Sequence, residues 1–414
     1  MRLLHTHTLE EVQEQLKTHF FQSPHCEVVP IRQALGRYLA ENITTDVEMP
    51  QFRRSVVDGY AVHAHDTFGV SDSMPVFLDV VGAVEMGHPC QLHLQPNQAI
   101  YVPTGGMLPQ DADAMVMVEY VEKLDEKTIA VYKPATPNGH IMNQGDDFSK
   151  NQLIFSKGHR ISVKDIGMLA TCGKWQLQVF VKPKAAILST GDEIIDIDQI
   201  PELGQIRDIN AYAIAAFCES AGVEVTHICI LKDNFEQLKA RAESCILEND
   251  ILLLSGGSSA GTKDMTADLI DSLGKPGVLT HGIAIKPGKP TVIGVVARPD
   301  DDQCPILAVG LPGHPMSAII VYKTVIEPFI KSHYFENQQS SISVEAVISE
   351  NIHAGEGRET YQLVTLKKSP HWVASPIHAK SGSISQLMYA DGYVRISSLS
   401  EGINQGDRVE VVLL

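Results

Sequence analysis

A chain of 414 residues, 44% hydrophobic and 20% charged, has room for two to four domains and the composition of an ordinary soluble globular protein. Its formal net charge of −17 counts against nucleic acid as the main partner, and no apolar run approaches the roughly 20 residues of a membrane span. Seven cysteines scattered without a CxxC pair argue for reduced thiols in the cytoplasm rather than a disulfide frame or a zinc site.

The opening MRLLHTHTLEEVQEQL runs straight into amphipathic, acidic sequence and does not read as a secretory signal. Thr8 and Glu11 suit a capping box for a helix over 8–20, with Leu9, Val12, Leu16 and Phe20 along one face. Over 46–147, runs such as VFLDVVGAV and AMVMVEYV alternate with Gly, Pro and Asn clusters, the pattern of a β-rich domain. RISVKDIGMLATCG at 160–173 turns helical and ends at Gly173, a suitable C-cap. The pairs His5/His7 and His63/His65 have no further His or Cys at ligand spacing, so they read as exposed histidines rather than metal ligands.

From 178 to 330 strand and helix alternate. KAAILST, VEVTHICIL, DILLLS and PILAVG read as strands, and 209–221, NFEQLKARAESCILEN, 264–273 and 314–331 as helices. That order predicts an open α/β domain with a mostly parallel sheet, in which ligands bind beyond the carboxyl ends of the strands. The polar loops at 190–193, 255–261 and 310–314 all follow strands. Over 341–414 the chain returns to short strands with glycine turns, which predicts a small β-barrel or sandwich.

Two stretches stand out chemically. In HGIAIKPGKPT (281–291), Pro287, Gly288 and Pro290 rule out a regular helix, and the stiff loop can present Lys286 and Lys289 to one anion. In GLPGHPMS (310–317), Gly310, Pro312, Gly313 and Pro315 make a second such turn. The pair points to a phosphorylated or oxyanionic ligand, the alternative being tight turns with solvated lysines. A net-acidic protein that binds an anion must concentrate its cations locally. Asp192 and Glu193 in STGDEI can ligate Mg²⁺ or orient water. Asp233 and Asp264 are each more ordinary as helix caps, but with Glu193 they share one sheet edge and form a candidate metal or acid/base set. Ser255, Gly256, Gly257 and Ser258 offer backbone N–H groups and hydroxyls to a phosphate, without a Walker ending, and no GxSxG elbow or Cys nucleophile accompanies them. The residues alone lead to a Mg²⁺-assisted site for a phosphorylated ligand.

Several motifs occur in one order: SVVDGYAV, PTGGMLPQDADAMVMVE, GDD, STGDEI, LGQIRDIN, SGGSSAGTKD, KPGKP, GLPGHPMSA and GRETYQL. On this ordered set the chain resembles molybdopterin molybdenumtransferases, related to the E domain of gephyrin, from roughly residue 5 to its C-terminus. The resemblance implies a cytoplasmic enzyme that inserts molybdate into adenylylated molybdopterin with Mg²⁺-dependent release of AMP. It implies an elongated homodimer with shared active sites, no nucleic-acid or membrane partner, and the molybdopterin adenylyltransferase as a partner enzyme. Four domains follow from it: a helical linker domain of 1–45 and 148–177, a β-rich domain of 46–147, an α/β domain of 178–330 and a C-terminal β-barrel of 331–414. Glu193, Asp233 and Asp264 would serve Mg²⁺ and the adenylyl phosphates, and Lys286 and Lys289 would neutralise oxyanion charge. Pro287, Gly288, Gly310, Pro312, Gly313 and His314 would line the cofactor site, Arg358 and Ser381 would add anion contacts, and Asp58 and Thr104 would come from the partner subunit.

Against the family pattern, Met142 stands for an arginine, His314 for an asparagine, Ile209 for a serine, and Ser258 and Ala260 for valines. These departures keep open a tungstate-inserting paralogue and a non-catalytic pterin-binding scaffold. His314 predicts oxyanion affinity that changes with pH between about 6 and 8. Titrations with molybdate across that range test this, and a flat profile removes His314 from the anion site.

Overall fold

A computed structural model of the chain describes residues 6–21, 23–256, 265–298, 301–337, 341–355, 357–378 and 382–414. Two compact units make it up: Asn42–Ser156 with Gly167–Trp175, and Met1–Glu41 with Lys157–Ile166 and Gln176–Leu414.

The smaller unit is built on a six-stranded sheet in the order Ala114–Met117, Gly59–Val62, Gln98–Val102, Val76–Ala83, Thr128–Val131, Val121–Lys123. Only Val76–Ala83 and Gln98–Val102 run parallel. Side chains alternate between its faces. Val62, Ala99 and Val116 enter one core, while their neighbours Ala61, Ile100 and Met115 enter another. Both faces are therefore covered at Ala114–Met117, which accounts for its apolar run, whereas Val76–Ala83 leaves Phe77 and Val81 exposed.

The larger unit opens with the helix Leu9–His19. Its capping box is formed: the Thr8 amide donates to Glu11 Oε2 (2.8 Å) and the Glu11 amide to Thr8 Oγ1 (3.2 Å). Leu9, Val12 and Leu16 turn inward as their spacing requires. The α/β layer then runs β1 (Lys184–Thr190), α1 (Asn210–Ser220), β2 (Glu224–Leu231), α2 (Phe235–Glu248), β3 (Ile251–Gly256), α3 (Met265–Leu273), β4 (Pro276–His281), β5 (Val292–Arg298), β6 (Asp301–Leu311) and α4 (Pro315–Val321). The strand order is 2-1-3-6-5-4. The pairs β2–β1, β1–β3 and β3–β6 are parallel, and β6–β5 and β5–β4 antiparallel. The β5–β6 pair is antiparallel for a simple reason: so short a link between β5 and β6 has no room for a crossover, so the two pair as neighbours.

Layering follows from alternation along the strands. Ala185 and Ile187 of β1 pack with Ala211 and Ile214 of α1, while Ala186 and Leu188 pack with Leu238 and Ala242 of α2. The chain leaves β1 toward β2 on one side and returns to β3 on the other. Such a reversal opens a crevice beyond the carboxyl ends of β1 and β3, where open α/β sheets bind ligands.

Two helices differ from expectation. The one expected over 160–173 covers Val163–Thr171, and its Gly173 takes φ +71° as a C-terminal glycine should. The one expected over 314–331 breaks into α4, a π-helical turn Tyr322–Ile326, and α5 (Glu327–Tyr334). Pro328 has no N–H to donate to the preceding turn, and within the π-helical turn the Thr324 hydroxyl donates to the Ile320 carbonyl (2.7 Å). Near the end of α5, Phe335 stacks on Tyr38 with ring centroids 4.1 Å apart.

The C-terminal strands Glu359–Lys368, Trp372–Pro376, Ser343–Ile348, Arg408–Leu413 and Gly392–Ile396 pair in that order, and the last pairs back with the first. A closed five-stranded barrel results, filled by Ile348, Val364, Ala374, Val394 and Val411. No helix among the described residues is long and apolar enough to cross a membrane.

Glu327 sits nearly buried between Lys323 (2.8 Å) and Lys331 (2.5 Å). Burial works to raise its carboxyl pKa, but the two ammonium groups outweigh burial and hold it below its ordinary value. A depressed carboxylate pKa contributes stability above the unfolded-state value and loses it as pH falls through the folded-state value. Glu327→Gln should therefore cost about 2 kcal/mol at neutral pH, with the gap to wild type closing below about pH 4. Chemical denaturation at both pH values measures it.

Candidate functional site

The site is assembled where β1, β2, β3 and β6 end. Gly256 closes β3 beside Thr190, its register partner on β1. It takes φ +106°, and a Cβ there would lie 2.1 Å from the Thr190 carbonyl oxygen, so only glycine lets the two strand ends close up. Gly310 is equally constrained: a Cβ would lie 2.3 Å from Thr266 Cγ2 of α3. Gly313 faces open space, with nothing within 4 Å of its Cβ position.

The acidic residues follow β1 and β2. The Thr190 hydroxyl donates to Asp233 Oδ1 (2.6 Å), tying the loop after β2 to the end of β1. Glu193 folds back over Gly191, where a Cβ would lie 2.8 Å from its Oε2. The Lys232 ammonium donates to the Asp192 carbonyl (2.9 Å). Asp192, Glu193 and Asp233 are all exposed. Carboxylates and a hydroxyl are the hard oxygen donors that Mg²⁺ takes, so the donor chemistry fits that ion. Two of the three expected ligands are thus described. Asp264 lies outside the described residues, as do Gly257, Ser258 and Ser381, and no group of three metal-ligating side chains occurs among those described.

The lysine loop is held from both sides. Ile285–Lys286 forms a short parallel pairing with Glu359 and Thr360 of the barrel. Gly288 takes φ +124°, packed so that a Cβ would lie 2.7 Å from Ile285 Cδ1 and 2.8 Å from Val321 Cγ2 of α4. The Thr291 hydroxyl donates to the Gly288 carbonyl (2.6 Å), and the Ile283 amide to the Lys289 carbonyl (3.0 Å). Lys286 is exposed and Lys289 half-buried, and neither meets a carboxylate among the described residues. His314 is exposed at the N-cap of α4 without capping it through its side chain. Arg358 is exposed on the approach to the barrel strand Glu359–Lys368.

Two residues were not read from the sequence as site residues. Asn210, buried at the start of α1, donates from Nδ2 to Ser255 Oγ and to the Gly313 carbonyl, both at 2.9 Å. It thereby links α1, β3 and the turn after β6. Asp208 Oδ1 accepts from the Ala211 amide (3.0 Å), supplying the cap that Ile209 cannot. Ser189 Oγ, Asp208 Oδ2 and Asn210 Oδ1 are buried without a hydrogen-bond partner, each a cost of about 1–3 kcal/mol. An Asp and an Asn two apart before an apolar helical run was the available signal, and it reads equally well as ordinary capping.

In the smaller unit, Asp58 Oδ1 accepts from the Thr104 amide (2.8 Å) and hydroxyl (3.1 Å), so these two expected residues are brought together, both exposed. Met142 lies on a short strand beside Arg54, whose guanidinium approaches its sulfur at 3.3 Å. A cation thus stands next to the position where the family arginine is missing. His65 pairs with Asp66 (2.8 Å) and His63 contacts the Leu94 carbonyl (3.3 Å), in keeping with a structural role.

Comparison with known proteins agrees with this architecture. The family model of the MoeA N-terminal region (domain I and II) matches residues 7–173, a probable molybdopterin binding domain matches 186–332, and the MoeA C-terminal region (domain IV) matches 345–414. A putative molybdopterin biosynthesis protein of Methanocaldococcus jannaschii is 30% identical over 410 residues, 97% of this chain and 95% of that one. The molybdopterin molybdenumtransferase of Bacillus subtilis is 29% identical over 401 residues, 96% of this chain and 91% of that one. The crystal structure of a molybdopterin biosynthesis MoeA protein from Pyrococcus horikoshii is 28% identical and superimposes with a TM-score of 0.81, covering 99% of this chain and 100% of that one.

The glycine packing makes a paired prediction. Gly288→Ala should lower stability by about 1–3 kcal/mol and weaken oxyanion binding by displacing the lysines. Gly313→Ala should stay within about 0.5 kcal/mol of wild type. Thermal unfolding and molybdate titration of the two variants side by side check this.

Proposed function

The chain belongs to the molybdopterin molybdenumtransferase (MoeA) family and is a transferase, and we propose that it inserts molybdate into adenylylated molybdopterin with release of AMP. The observation that carries this reading is the lysine loop. A chain with a net charge of −17 holds Lys286 and Lys289 on a rigid turn, and neither meets a carboxylate among the described residues. That arrangement suits charge that builds up on an oxyanion or a phosphate.

The division of labour follows from position. The two lysines neutralise molybdate and the phosphates, and the glycines at 256, 288 and 310 let the strand ends and the lysine loop pack closely against their neighbours. Glu193, Asp233 and Asp264 would hold a magnesium ion, which supplies positive charge to the phosphoanhydride when bound. Thr190 fixes the Asp233 carboxylate through its hydroxyl (2.6 Å), which lowers the reorganisation needed when the phosphate arrives. Cleavage is a hydrolysis: a water oxygen bonds to one phosphorus as the P–O–P bond between the molybdopterin phosphate and the adenylyl phosphate breaks, the water's protons pass to the two phosphate products, and AMP leaves. Arg358 and Ser381 would add anion contacts. In the homodimeric reading, Asp58 and Thr104 are supplied by the partner subunit.

The test is AMP release from adenylylated molybdopterin by the purified chain with magnesium, in the absence of oxyanion and with molybdate or tungstate. Molybdate-stimulated release is expected, and Lys286→Ala or Lys289→Ala should each reduce it about 100-fold. Binding without release under all three conditions would overturn the reading, and preference for tungstate would change the metal. A monomer in sedimentation at micromolar concentration would remove Asp58 and Thr104 from the site.

A further inference from the structure

The lysines account for the anionic parts of a substrate, but not for the unpartnered oxygens at the start of α1. Asp208 is 4% exposed and Asn210 8%. Asp208 Oδ1 is engaged by the Ala211 amide, which leaves Oδ2 unmet. Asn210 spends both hydrogens of Nδ2 on Ser255 Oγ and the Gly313 carbonyl, so its amide has one orientation and Oδ1 is the unmet atom. The Ser189 hydroxyl, fully buried, is also unpartnered, and alternation along β1 puts it on the α1 face with Ala185 and Ile187.

Asp208 and Asn210 thus present two acceptor oxygens, two residues apart at one helix end. Ionised phosphate and molybdate carry only acceptors and cannot answer them. A ligand with two neighbouring N–H donors can. The 2-amino-4-oxo edge of a pterin has that pattern, with N3–H beside the 2-amino group. Adenine sets its single amino group beside a ring acceptor, which would satisfy one oxygen and oppose the other. Acceptors already stripped of water gain more from a donor than solvated ones do.

We propose that Asp208 and Asn210 form the subsite that reads the pterin ring through its two adjacent N–H donors and rejects the adenine half of the substrate. This rests on the molybdopterin reading above for the identity of the heterocycle. The subsite lies at the carboxyl ends of β1, β3 and β6, joined to the turn after β6 through Asn210.

The experiment is equilibrium titration of the full chain with free pterin, with lumazine, in which a carbonyl replaces the 2-amino group, and with AMP. The native protein should bind pterin at least about tenfold more tightly than lumazine. Asp208→Asn keeps Oδ1 for the Ala211 amide and replaces the other acceptor with a donor. It should bring pterin down to the lumazine level while AMP affinity stays within about twofold. Equal affinity of the native chain for pterin and lumazine, no measurable pterin binding, or equal loss of pterin and AMP in the variant would each overturn the proposal. The pterin–lumazine comparison needs no variant, so poor folding of Asp208→Asn would not protect it. Discrimination without AMP release from adenylylated molybdopterin would fail the proposed function and leave this subsite standing. AMP release without discrimination would do the reverse.

Discussion

Everything in the candidate site hangs on how closely β1 and β3 approach at their carboxyl ends. Gly256 lies against the Thr190 carbonyl in a space that a Cβ would fill to 2.1 Å. From this contact Thr190 reaches Asp233, and Ser255, one residue before Gly256, receives the Asn210 amide. Any side chain at 256 would spread the strands and pull apart two hydrogen-bonded links at once. The crevice at the strand reversal is therefore set by a van der Waals distance before electrostatics enters.

Electrostatics then sorts the edge into regions of different character. Exposed carboxylates follow β1 and β2, and two lysines stand on a loop braced by α4 and by a barrel strand. Their separation along the fold matters: lysines salt-bridged to nearby carboxylates would offer little to an incoming anion. The loop stays rigid because Gly288 is packed between Ile285 and Val321 and its carbonyl is bound by Thr291. Rigid cations need little reorganisation when charge arrives, which is the basis of their value in a reaction that moves phosphate and oxyanion.

The buried polar atoms add a third region. Unmet acceptors beneath the surface are costly, and Asp208 and Asn210 keep two of them at the start of α1, where a donor would offset that cost. Capping and recognition are combined in Asp208: one oxygen closes the first turn of α1 and the other is held over. The barrel contributes differently: the start of its strand Glu359–Lys368, which extends beyond the pairing with Trp372–Pro376, clamps Ile285–Lys286 by backbone pairing.

Much of this was legible in the sequence, because local physics dictates it. The Thr8–Glu11 box, the continuous apolar run of KAAILST, the Gly173 stop and the stiffness of KPGKP depend only on residues close together in the chain. The ordered motifs also led to the family. The antiparallel edge β4–β5–β6, the π-helical break at Tyr322–Ile326 and barrel closure between Glu359–Lys368 and Gly392–Ile396 were settled by pairing and packing over longer range. So was the role of Asn210, whose partners lie 45 and 103 residues away. A cap and a bridge look alike in sequence. Only the fold, by bringing Ser255 and Gly313 to one amide and burying its other oxygen, distinguishes them.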